Sequence, residues 1–166
     1  MFLKFATKEE KRRLDGDSTA FIELQYCRMS RDSKIKKILS INRAKHWEND
    51  SLYIHVDDFD LFFDNYTEIL NNTTYNNLEK GQFDMHGYNY YEPSQVIKMI
   101  DKIKEKKPIY FKEILKWLEY AQDYNGFYLI GIWIVLNKSI ILEVRSCIKI
   151  GYPTHYHLNI DILYLL

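Results

Sequence analysis

A chain of 166 residues has the length of one domain, and its 46% apolar content can fill a core without metal or disulfide. Its 23 basic and 23 acidic side chains balance, so nothing in the total charge favours nucleic acid. The longest apolar run, Phe127 to Leu136, is ten residues, short of the roughly 20 that a membrane-crossing helix needs, so neither a nucleic-acid nor a membrane partner is expected.

Near the start, Phe2-Leu3-Lys4-Phe5 gives way at once to the charged run Lys8 to Arg13, which lacks the apolar stretch of a secretory leader. Cys27 and Cys147 form no spaced motif and read as free thiols, which suits a reducing cytoplasm. Met1 to Ala6 reads as a strand, and Thr7-Lys8-Glu9-Glu10 as a capping box that opens a charged helical turn. Asp15-Gly16-Asp17 marks a turn. Phe21 to Cys27 alternates like a strand, and Asp32 is placed to cap a helix carrying Ile35, Ile38 and Leu39 inward, with Trp47 beyond it.

Ser51 to Val56 predicts another strand. Phe59, Phe62, Phe63, Tyr66, Ile69 and Leu70 then step by three and four, an amphipathic helix with Asp57 and Asp58 at its electropositive start. The polar run Asn71 to Asn77 reads as an exposed loop. The tyrosine-rich segment ending at Tyr91 predicts a strand.

Glu92-Pro93-Ser94-Gln95 has the form of a helix start, with proline where no backbone bond is lost and Gln95 able to reach back to the cap. Val96, Ile97, Ile100 and Ile103 mark the inward side of this helix. Pro108 separates it from a second helix with a broad stripe of Phe111, Ile114, Leu115, Leu118 and Ala121, widened by Tyr110, Trp117 and Tyr124. Asn125-Gly126 supplies a left-handed stop, and Phe127 to Ile132 reads as a strand buried on both faces. A hairpin through Trp133 to Arg145 and a last strand from His155 complete a single α+β domain over 1–166, with a largely antiparallel sheet against three or four helices.

The chemistry is that of a scaffold. No nucleophile elbow, phosphate loop or paired cysteine motif occurs, and no cofactor is implied. His55 with Asp57, and His155 with His157, each share one strand face, so a metal-dependent enzyme is one alternative. A small-ligand module lined by Tyr88, Tyr90 and Tyr91 is another. The clearest electrostatic feature is regional: residues 51–95 carry Lys80 against eight acids, a net charge of −7, whereas residues 1–50 carry +4 and 96–166 carry +3. Five of those acids, Asp57, Asp58, Asp60, Asp64 and Glu68, lie on or beside one predicted helix.

The succession SLYIHVDDFDLFFDNYTEIL, a polar loop, GYNYYEPSQV, two helices and NGFYLIGI resembles small bacterial immunity proteins of contact-dependent inhibition and other polymorphic-toxin systems. That resemblance, over residues 51–132, implies a non-catalytic cytoplasmic protein that binds the C-terminal domain of one cognate toxin. Many such toxins are nucleases with basic active sites, so the expected contact surface is acidic. Asp57, Asp58, Asp60, Asp64 and Glu68, joined by Tyr88, Tyr90 and Tyr91, are the expected partner-binding residues.

Overall fold

The computed structural model describes residues 1–10, 21–40, 47–85 and 87–131, all within one compact unit. The expected turn at Asp15 to Asp17, the hairpin after Trp133, Cys147 and the strand bearing His155 and His157 lie outside the described residues, as does that part of the single-domain expectation. No helix among the described residues is long and apolar enough to cross a membrane.

Among the described residues seven strands build one sheet: β1 (Phe2–Leu3), β2 (Phe21–Tyr26), β3 (Leu52–His55), β4 (Thr73–Thr74), β5 (Lys80–Gly81), β6 (Tyr88–Tyr91) and β7 (Phe127–Ile130). Their order is β1-β3-β2-β7-β6-β4-β5, and every pair is antiparallel. Packed with helices that include α1 (Ile35–Leu39), α2 (Phe59–Tyr66), α3 (Pro93–Lys106) and α4 (Phe111–Ala121), the sheet makes an α+β fold.

β7 occupies the centre, which explains its unbroken apolar sequence. Each of its four residues is buried, two on each face. Phe127 and Leu129 join Ile22, Leu24, Tyr26, Ile54 and Tyr91 against the helices. Phe59, Phe62 and Tyr66 of α2, Met99 and Ile103 of α3, and Ile114 and Leu118 of α4 meet them there. On the other face Tyr128 and Ile130 pack with Cys27, Ile38 and Tyr90, while Phe5, Phe21 and Tyr53 form a separate aromatic cluster. Cys27 is buried and free, as expected, and burial pushes its thiol up.

Helix-start hydrogen bonds form near the N-terminus and ahead of α3. Thr7 Oγ1 accepts from the Glu10 amide at 3.1 Å, and Glu10 Oε2 accepts from the Ala6 amide at 2.7 Å. At α3, Pro93 takes the first turn and the Glu92 amide donates to Gln95 Oε1 at 2.9 Å, closing a capping box. Left-handed Lys107 (φ 47°) then caps α3, and Pro108 leads to a second left-handed residue, Tyr110 (φ 59°), before α4 begins.

Several expectations are corrected. Lys34, not Asp32, occupies the N-cap of α1, because this helix is only five residues long and starts later. Ile97 is 51% exposed, and Met99 takes its place in the core, since the sheet-facing side of α3 runs through Val96, Met99, Ile100 and Ile103. The polar run Asn71 to Asn77 is not wholly an exposed loop. Thr73 and Thr74 are buried as β4, and Thr73 Oγ1 donates to the Tyr90 carbonyl at 3.3 Å. Threonine is β-branched, which suits a strand, and its hydroxyl finds a partner inside the sheet.

Candidate functional site

The acidic segment begins where β3 turns into α2. His55 caps a short 3₁₀ turn (Val56–Asp58), its Nδ1 accepting from the Asp57 amide at 3.3 Å. Asp57 Oδ2 lies 3.2 Å from the same nitrogen, yet its side chain is 85% exposed. Asp58 is half-buried, 3.8 Å from the Met1 amino nitrogen. Apolar Phe59, Phe62 and Tyr66 turn inward, and helical spacing then forces Asp60 and Asp64 outward on one exposed side. Neither makes an ion pair with a described residue.

Glu68, one turn further, differs. Lys106 Nζ of α3 lies 2.5 Å from its Oε2, and that ammonium holds the carboxyl below its usual range. The acidic face is therefore strongest at Asp57, Asp60 and Asp64 and is neutralised at its Glu68 end.

The three candidate tyrosines are not brought together with it. Tyr88 and Tyr90 point away from α2, α3 and α4, toward the face that Ile38 of α1 covers, and Tyr91 points toward those three helices, as alternation along a strand requires. Tyr90 and Tyr91 are buried, donating to the Asn125 carbonyl at 2.9 Å and the Leu70 carbonyl at 2.6 Å. Both are core residues and cannot offer a contact surface, and the three cannot line one ligand pocket. Tyr88 is half-buried beside the Tyr90 cluster, on the sheet face opposite α2.

As for metal binding, His155 and His157 lie outside the described residues, and no cluster of three or more His, Cys, Asp or Glu occurs among the described ones. His55 is accounted for by capping the Asp57 amide, with the Asp57 carboxylate beside the same ring nitrogen.

A concavity that sequence reading missed lies between the ends of β2 and α4. Tyr26 is the middle ring of a three-ring stack, 4.2 Å from Trp117 and 4.5 Å from Tyr124 between centroids. Its hydroxyl donates to the Trp117 carbonyl at 2.9 Å, and Trp117 Nε1 donates to the Asp50 carbonyl at 2.7 Å. Arg28 Nη2 meets Asp50 Oδ1 at 2.6 Å, with the guanidinium 5.0 Å from the Tyr124 ring centre. Beside this stack is a cleft of about 350 Å³, rimmed by Lys4, Glu113, Lys116, Tyr120 and Asp123. The seven-residue step from Trp117 to Tyr124 hints at one wall; Tyr26 comes from a distant strand and gives no local sign.

No protein-family model, curated protein or solved structure matches this chain.

Proposed function

We propose that this protein acts by binding rather than catalysis, as an immunity-type inhibitor that neutralises the C-terminal domain of a cognate toxin in the cytoplasm. The observation that carries the reading is the exposed acidic side of α2, where Asp60 and Asp64 pair with no cation among the described residues and Asp57 reaches into solvent. Surface carboxylates left unneutralised on a rigid helix draw a basic partner and raise its association rate. A nuclease active site, basic because it holds phosphate, is such a partner. The rigidity comes from Phe59, Phe62 and Tyr66, which anchor α2 to the sheet and let the acids face outward without internal adjustment.

The test is co-purification with the toxin domain encoded by a neighbouring open reading frame, together with a growth-protection assay. A complex and protection are expected. Its association should slow as salt rises past about 0.1 M, where the screening length is about 10 Å. Asp60→Lys/Asp64→Lys should slow it further, with folding changed by less than about 0.5 kcal/mol. Neither complex nor protection would overturn the function. A complex whose association ignores both salt and the double variant would move the contact to another face.

A further inference from the structure

His55 stands at the junction of β3 and α2 with one ring nitrogen facing two partners that it cannot serve at once. We propose that it is a proton-operated switch: protonation moves Nδ1 from the Asp57 amide to the Asp57 carboxylate and uncaps the turn that leads into α2.

The geometry sets up two exclusive arrangements. Nδ1 accepts from the Asp57 amide at 3.3 Å, which requires that this nitrogen carry no proton. Asp57 Oδ2 lies 3.2 Å from the same nitrogen. In the neutral ring these are two acceptors face to face, a contact that only a proton between them makes favourable. Once protonated, Nδ1 is a donor. It can no longer accept from the amide, and its hydrogen bond to the carboxylate is charge-assisted. A helix start leaves its first amides without partners in the helix, so the Asp57 amide then turns to solvent. Histidine is the side chain that changes charge between about pH 5 and pH 8, so solvent supplies the proton within that window.

Among the described residues Asp57 is the only charged group paired with the ring. From β2, Phe21 packs T-shaped at 5.1 Å, and Glu23 is opposite Tyr53 instead. From β1, the Met1 ammonium is 3.8 Å from Asp58 Oδ2, and Lys4 lies past Leu3, which is also opposite Tyr53. Asp60 of α2 is exposed on its outward side. The effect on a partner rests on the proposed function: protonation pairs one free carboxylate and adds a positive charge beside the acidic side of α2, which slows association with a basic domain.

The switch itself is tested on the free, isotope-labelled full chain by NMR between about pH 5.5 and pH 8. At the upper end the unprotonated ring nitrogen should be Nδ1. On acidification the Asp57 amide proton and the Asp57 carboxyl carbon should both shift along the same curve as the His55 ring. Exchange of the Asp57 amide, relative to an unstructured peptide of the same sequence, should quicken about fivefold, as expected for one lost hydrogen bond. His55→Asn keeps a side-chain acceptor at the cap and takes up no proton, so its Asp57 amide should stay still over this range. A neutral ring protonated at Nδ1, an Asp57 amide or carboxyl carbon that ignores the ring's titration, or the same amide shift in His55→Asn would overturn the switch. None of these outcomes touches the partner, so the proposed function stands or falls separately on its own complex and protection assays.

Discussion

A Cβ placed on Gly126 would lie 1.9 Å from the carbonyl oxygen of Tyr91. Gly126 has φ +76° and sits where the chain leaves the α4 turn to enter β7, beside the strand that Tyr91 ends. Its carbonyl accepts from the Cys27 amide at 2.9 Å, so the same residue touches both neighbours of β7. Gly126→Ala combines a left-handed backbone with a clash against backbone that cannot rotate away. The variant should lose more than about 2 kcal/mol of stability, read from urea unfolding midpoints.

Tyr91 supplies a second test. Its ring stacks on Phe127 at 4.7 Å and its hydroxyl donates to the Leu70 carbonyl, all within the core. Tyr91→Phe keeps the ring and orphans that carbonyl, so a loss of about 1–3 kcal/mol is expected. A variant as stable as the parent would show that the carbonyl finds another donor.

At α3, Gln95 bonds twice: its Oε1 accepts from the Glu92 amide, and its Nε2 donates to the Asn72 carbonyl. Gln95→Ala should cost about 1–2 kcal/mol, and hydrogen exchange should quicken at the Glu92 amide before it does in the body of α3.

Alkaline pH should unfold the protein. Burial pushes the Tyr53 hydroxyl up to about 12, and pushes those of Tyr26, Tyr66, Tyr90, Tyr91 and Tyr128 higher still. In the unfolded chain these groups lose their protons near pH 10, so above that pH the folded state holds more protons than the unfolded one. The contribution is whole below about pH 10 and drains as pH rises toward 12 and beyond. Urea midpoints should fall slightly from pH 8 to 9, where the buried Cys27 thiol alone contributes, and drop steeply by pH 11. Tyrosinate absorbance from these groups should appear together with unfolding, not before it.

Local signals carried much of the fold. The Glu92–Gln95 cap, the glycine stop at Gly126 and the doubly buried β7 each depend on residues within a few positions of one another, and each stands as expected. What failed depended on distance. Whether Ile97 or Met99 faces inward is decided by where the sheet lies. Thr73 and Thr74 become a buried strand because Gly81 and Lys80 pair with them on one side and Tyr90 comes back to pair with Thr74 on the other. The acidic side of α2 was legible because charge and helical period are local properties. The assignment of Tyr88, Tyr90 and Tyr91 to one surface overlooked strand alternation, which sends Tyr91 to the opposite face. The aromatic cleft was invisible because Tyr26 and Trp117 meet only in the finished fold.

The place of β7 sets an order of assembly. It joins two partial sheets, β1-β3-β2 on one side and β6-β4-β5 on the other, and Leu24 of β2 and Asn89 of β6 both pair with Leu129. Until residues 127–130 are in place, β2 and β6 each present an open edge to whatever strand is nearby. The keystone thus comes after both of the halves it joins, and its pairing with β2 spans most of the described chain. Long loops must close before that contact returns any free energy, so refolding should be slow for a protein of this size. During that interval the exposed edges of β2 and β6 are the points at which two copies would pair wrongly.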